Sequence, residues 1–208
     1  MYIPASFEVT DRARLHRFIR ENSFGMLVSI RDDLPFVSHV PLLMDEAHGP
    51  NGTLIGHIAR ANPQWQGLDG KQVLAVFAGP HAYVSPSFYE SENVVPTWNY
   101  VAVHVYGTLR VLDDKESLAE ILRQSVLFYE GPREEPWKLD TSTPYFQSMV
   151  RAIVGFRIEI ERLEGKWKLS QNHPAERQAR VRDALASSSR PDDQAISKLM
   201  SLRMEQSQ

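Results

Sequence analysis

The sequence predicts a mainly β domain, a small closed antiparallel barrel decorated with helices. Three observations predict it. Apolar runs of strand length recur about seven times along the chain. Neighbouring runs are joined by short, turn-rich connections, which favours antiparallel pairing. Helical periodicity is confined to the start, to two interruptions of the strand pattern and to the C-terminal end.

Asp11 to Asn22 reads as a helix, with Thr10 as cap, Leu15, Phe18 and Ile19 on one face, and Gly25 just beyond. Met26 to Ile30 reads as a strand, Arg31 to Asp33 as a turn, and Pro35 to Val40 as the next strand. Pro35 and Pro41 lack an amide donor, so they are expected at the ends of that strand or on an edge. Asn51-Gly52 marks a turn into Thr53 to Ile58. Gln72 to Ala78, rich in Val, Leu and Phe, has the composition of a strand buried on both faces. A connection of about twenty residues is expected between Gly79 and Tyr100, longer than most in compact domains. Tyr100 to Leu112 and Phe156 to Glu161 alternate as strands, and Glu164-Gly165 is expected to turn the chain back into Lys166 to Ser170. Helices are expected over Asp113 to Tyr129, with Asp113 and Glu116 in a capping-box arrangement, and over Pro144 to Ile153. Two more follow over Ala175 to Leu185 and Asp192 to Met204. The expected division is a barrel domain over residues 1–172 and a helical arm over 173–208. The arm's apolar stripe of Ile196, Leu199 and Met200 is expected to dock on a subunit.

With 208 residues and 42 % hydrophobic content the chain can build a real core. It carries 23 basic and 26 acidic side chains, a net −3, so bulk charge gives no drive towards nucleic acid. The absence of cysteine excludes disulfides, thiol nucleophiles and cysteine metal sites. The longest apolar run, Val73 to Ala78, is far below the ~20 residues that span a bilayer. The start, MYIPASFEVTDR, shows no charged leader followed by an apolar stretch. A cytoplasmic protein is the expectation. No G-x-S-x-G elbow, G-x-G-x-x-G or P-loop occurs. His39, His57, His81 and His104 lack metal-ligand spacing and read as hydrogen-bonded barrel residues.

Two segments carry chemistry. In Gly56 to Trp65 a strand ends near Ile58, Arg60 follows, and Asn62-Pro63 has the form of a cap and first residue of a short helix. A guanidinium beside helix-start amides suits a phosphate; equally, Asn62 caps its helix and Arg60 pairs with a surface acid. The second segment, from Gly79 to Tyr100, carries Tyr83, Phe88, Tyr89, Trp98 and Tyr100. So many aromatics on one connection suit a flat ligand or a partner subunit, whereas each aromatic taken singly reads as roofing the domain's own core. In the arm, Arg177, Arg180, Arg182, Arg190, Lys198 and Arg203 are diluted by acids; this permits DNA contact and is equally explained by a solvated helix face.

The initial MYIP, GHIARANPQW, GPHAYVSPSFY, VPTWNYVAVHVYG and IVGFRIEIERLEGKWKLSQN together resemble the PaiB family of FMN-binding negative transcriptional regulators, within the FMN-binding split-barrel superfamily. The likeness runs from Met1 to about Asn172 and more loosely beyond. It implies a six-stranded antiparallel split barrel plus C-terminal helices, a homodimer, and one FMN at each of two interface sites. It places the phosphate near Arg60, Asn62 and Gln64, where related barrels carry a Ser-Arg-Lys-type stretch. It sets Ser38, His39 and His57 beside the flavin and Trp98, Asn99 and Tyr100 at the ring, with Gln171 and Asn172 as further candidates. The function implied is a flavin-binding regulator; the alternative is an FMN-dependent oxidoreductase or flavin reductase of the same fold. A haem-binding reading has only unpatterned histidines behind it.

Overall fold

The computed structural model describes residues 1–89 and 94–206. In chain order the elements are β1 (Glu8–Val9), α1 (Arg12–Glu21), β2 (Phe24–Arg31), β3 (Leu34–Asp45), β4 (Thr53–Ala59), β5 (Lys71–Val84), β6 (Thr97–Leu112), α2 (Lys115–Glu130), α3 (Pro144–Val150), β7 (Ile153–Lys168), α4 (Ala175–Ala186) and α5 (Pro191–Glu205). Short 3-10 turns lie at Ala5–Phe7, Pro63–Trp65 and Pro86–Tyr89. Strand pairing runs β1-β7-β4-β3-β2-β5-β6, and β6 also pairs with β7, so six strands close a ring. The pairings of β2 with β3 and β5, and of β4 with β3 and β7, are antiparallel. Among the described residues no helix is long and apolar enough to cross a membrane.

The chain forms two compact units: one of residues 1–11, 78–103 and 164–208, the other of 12–77 and 104–163. We call them the terminal unit and the central unit. The central unit buries Leu27, Leu42, Leu54, Phe77, Phe156 and Ile158 on the inner face of its strands. Gly107 is required there, because a Cβ on it would collide with the Glu159 carbonyl. In the terminal unit α4 and α5 pack together through Val181, Leu185, Ile196 and Met200. Ser197 Oγ donates to the Arg182 carbonyl across that pair at 2.8 Å. The stripe of Ile196 and Met200 is thus covered by the chain's own α4 and not left for a subunit.

Four local expectations change, each because of a distant partner. Pro41 lies inside β3 and not at its end: β3 pairs with β2 as far as Pro41 and with β4 from Leu42. A residue without an amide donor fits at that exchange of partners. β5 continues through Gly79-Pro80 to Val84 and β6 begins at Thr97, so both ends of the expected connection are strand; its residues 90–93 lie outside the described residues. Glu164-Gly165 does not turn; β7 runs unbroken to Lys168, and Gly165 pairs with Val9 of β1. The cap of α2 is Asp114, whose carboxylate accepts from the Ser117 amide at 2.8 Å, because Asp113 is engaged elsewhere.

β5 also differs from a strand covered on both sides. Val73, Ala75 and Phe77 are buried, whereas Leu74 and Val76 are half-exposed. Register places Leu74 and Val76 beside Val28 and Met26 of β2, which sit opposite Val37 and His39 of β3. Phe24 and Ile30 continue this outer face at 67 % and 63 % exposure, and Val37 is 46 % exposed. The central unit therefore presents one apolar sheet face that its own residues leave open.

Candidate functional site

The segment after β4 is built by hydrogen bonds that sequence could only sketch. Asn62 caps the 3-10 turn, its Oδ1 accepting from the Gln64 amide at 2.9 Å, with Pro63 in the first position. Its Nδ2 donates to Ser38 Oγ at 2.8 Å, joining the segment to β3. Gln64 is buried, 1 % exposed. Its Nε2 lies within reach of the Leu27 carbonyl at 2.9 Å, Ser29 Oγ at 3.1 Å and the Phe36 carbonyl at 3.3 Å. Two carbonyls at the nitrogen fix the orientation of the amide, and its Oε1 is left buried without a donor. Ser38, Asn62 and Gln64 thus form one cluster.

Arg60 is held by the chain itself. Its guanidinium forks onto Asp113, with one bond of 3.0 Å, and also donates to the carbonyls of Arg151 and Ile153, both at 2.8 Å. The hydrogen bond to Asp113 raises the Arg60 pKa, and Arg60 in turn holds the Asp113 carboxyl below its usual range. One of the five guanidinium N–H groups remains. Trp65 Nε1 donates to the Arg60 carbonyl at 3.0 Å and steadies the same turn.

The histidines lie elsewhere. His39 faces outward beside Met26, its ring stacked 6.3 Å from Phe24. His57 pairs with Gly155 on the strand face that Leu118 and Ile121 of α2 cover. Burial there lowers its pKa. By register both point away from the face that carries Ser38. Among the described residues no group of three metal-capable side chains assembles.

In the terminal unit the run 98–100 alternates. Trp98, 48 % exposed, meets Tyr83 edge-on at 5.7 Å and His81 at 6.0 Å, making an open aromatic platform. Asn99 is fully buried and locked to Ser170 Oγ, donating at 2.9 Å. The Tyr100 ring lies 5.1 Å from Lys166 Nζ. Gln171 folds back on its own turn, accepting from the Leu169 amide at 2.6 Å, and Asn172 lines a small cavity with Tyr89, Thr97 and Lys168. Sequence reasoning missed Asp113 as the partner of Arg60, and missed that Lys168 would reach Thr97 and the Trp98 carbonyl. A basic residue ending a strand was the available signal for Lys168; nothing local marked Asp113.

A ring of six strands decorated with helices is the split-barrel architecture, and the class it defines is that of split-barrel proteins. Two solved structures share the fold. A flavocytochrome from Azotobacter vinelandii aligns at TM-score 0.61 and 14 % identity, over 83 % of this chain and 75 % of that one. An FAD and haem binding protein from Mycobacterium smegmatis aligns at TM-score 0.62 and 15 % identity, over 83 % and 78 %. The family model described as "Putative FMN-binding domain" matches residues 1–162. This chain belongs to that family, and FMN is its cofactor. It is 39 % identical over 202 residues to the Bacillus subtilis protein named protease synthase and sporulation protein PAI 2, covering 96 % of both chains. It is also 33 % identical to an uncharacterised Aspergillus fumigatus protein, over 82 % of this chain and 85 % of that one. It is a PaiB-like flavin-binding protein.

Proposed function

We propose that this protein is a dimeric, cytoplasmic, FMN-dependent negative regulator of transcription, with flavin bound where two copies meet. The observation that carries the dimer is the open apolar face of β2, β3 and β5 in the central unit, built from Phe24, Met26, Val28, Ile30, Val37 and Val76. A face of that kind marks an interaction surface in a stable fold, and a second copy is the occupant that the family reading requires. Val37→Glu is expected to convert the dimer to monomer in sedimentation velocity. A wild-type monomer at micromolar concentration would sink the dimer.

The residues fit FMN in kind. Gln64 offers a buried acceptor that lacks a donor, suited to a ribityl hydroxyl or ring N–H. The Ser38 hydroxyl, which accepts from Asn62, keeps its proton for donation. The Trp98 and Tyr83 rings offer a stacking surface. On this reading Arg60 gives its remaining N–H to the phosphate while Asp113 aims the guanidinium, and Asn62 fixes the turn. His39, His57, Asn99 and Tyr100 serve as supports. When bound, FMN supplies hydride and single-electron chemistry, which the chain's residues orient and shield. Arg60→Ala is expected to weaken FMN roughly tenfold or more, and Asp113→Asn by less. Equal titration curves for Arg60→Ala and wild type would leave Arg60 a structural brace.

Support for the regulatory role is the full-length likeness to the Bacillus relative, whose name ties it to protease synthesis and sporulation. Within the arm, Arg182 pairs with Asp183 at 2.8 Å, Arg190 with Asp193 at 3.8 Å and Arg180 with Glu176 at 4.0 Å. Those three arginines are balanced by neighbouring acids. A gel shift on the protein's own promoter region, repeated through a salt series, tests direct DNA contact. No retardation at low salt makes the regulation indirect. Anaerobic bleaching of the bound flavin by NADH or NADPH would turn the assignment to the reductase.

A further inference from the structure

Strands β2 and β5 separate at one end of the central unit. Their ladder runs Met26↔Val76, Leu27↔Ala75 and Val28↔Leu74 and stops there, although β2 continues to Arg31 and β5 begins as early as Lys71. A cavity of about 450 Å³ lies at the parted ends. Ile30, Arg31 and Asp32 line it from β2 and its turn, Lys71 and Gln72 from β5, and residues 66–68 complete the wall. None of the flavin contacts proposed above is among them.

Alternation puts the two cations on the same side of the sheet. Arg31 follows the buried Leu27 and Ser29 on the core side of β2, and Lys71 precedes the buried Val73 and Ala75 on the core side of β5. Extending the register past Val28↔Leu74 sets Arg31 opposite Lys71. The chain does little to neutralise either. Arg31 Nε has Asp32 at 3.5 Å, a carboxylate 88 % exposed, and a solvated pair of that kind adds little. Arg31 Nη1 is buried with no acceptor, which is costly for a guanidinium N–H. Among the described residues Lys71 Nζ has no partner. Asp69, in the same loop, is engaged elsewhere, its Oδ1 accepting from the Val111 amide at 3.0 Å. The loop itself is fixed: the Lys71 amide donates to the Leu68 carbonyl at 2.9 Å and the Gly70 amide to the Leu109 carbonyl at 2.8 Å. Gly67 has a left-handed φ of 78° less four, that is 74°, with open space where a Cβ would stand, and its amide has no acceptor among the described residues.

We propose that this cavity binds a small organic anion, gripped by its carboxylate or phosphate group between Arg31 and Lys71. The guanidinium supplies a planar fork, the ammonium a second charge across the gap, and the Gly67 amide a neutral donor. Ile30 and Leu68 give the wall an apolar part against which the body of the ligand rests. The volume falls within the ~300–1,000 Å³ of small-molecule pockets. Ile30 also belongs to the open face of the central unit, so the cavity stands at the margin of that face. The site requires no flavin contact, and saturable anion binding in flavin-free protein leaves it intact.

NMR shifts of the nitrogen-labelled, full-length, FMN-loaded protein test it, with inorganic phosphate and malonate titrated separately. Expected are saturable shifts of the Gly67 amide and the Arg31 Nε–H with at least one probe. The affinity read from them is expected to fall roughly tenfold or more in Arg31→Gln and to be kept in Lys71→Arg. The probe that saturates identifies the class of the anion. If Arg31→Gln does not fold, Lys71→Gln, at an exposed position, is expected to weaken the same binding. Shifts that never saturate with either probe, or equal affinity in the glutamine variant and the parent, would overturn the site. So would saturable shifts confined to Ser38, Asn62 and Gln64, which would put the anion on the flavin's own segment.

Discussion

Arg60 and Lys168 each stand at the end of a β-strand, and they are satisfied in opposite ways. Arg60 has a carboxylate and two carbonyls from its own chain. Lys168 donates to a hydroxyl and one carbonyl, and burial and the Lys166 charge lower its pKa. A cation whose counter-ion lies within the fold is aimed by it, and Arg60 keeps one N–H for a ligand. A half-buried cation with only neutral acceptors adds little to the fold through charge pairing.

The largest effect expected from that contrast is at Gln64. Gln64→Leu strands the Leu27 and Phe36 carbonyls in a buried site and is expected to cost about 2–3 kcal/mol in chemical denaturation. A neutral result would mean that the segment after β4 is not architectural. Asn62→Ala removes the cap and the tie to Ser38, and a loss of about 1 kcal/mol is expected by the same measurement. Lys168→Met, which deletes a charge lacking a carboxylate partner, is expected to stay within about 1 kcal/mol of the parent; a larger loss would make Lys168 structural. The gentlest probe is pH. Burial lowers the pKa of His57 in the fold, so the unfolded chain binds the proton first. Its contribution is present above the ordinary value of about 6.5 and is lost as pH falls through the lower folded value. Denaturation midpoints measured downward from pH 7 should therefore fall less steeply for His57→Gln than for wild type. Parallel slopes would show that His57 is not sheltered by α2.

Much of the fold was legible because its signals are local. The alternation in Phe156 to Glu161 and the amphipathic face of Leu15, Phe18 and Ile19 need no distant partner to be read. Asn62-Pro63 was recognised as a cap for the same reason, and Ser38, Asn62 and Gln64 do meet. Where the reading failed, another part of the chain intervened. Gly165 has turn character alone, yet β1 draws it into a ladder. Asp113 has the position of a cap, yet Arg60, 53 residues earlier in the chain, takes its carboxylate and Asp114 caps in its place. His39 follows Ser38 directly but faces the other way, because successive residues of a strand point to opposite sides.

Period, turn chemistry and motif order therefore determined, from the sequence alone, a helix-decorated β fold and a likeness to flavin-binding proteins. Those properties are written in residues within a few positions of one another. Which cations are neutralised, which amides are spent and which sheet face is left uncovered were decided only in three dimensions. Charge and hydrogen-bond partners are set by proximity in space, and in this ring of strands the partners come from residues up to a hundred or more positions apart.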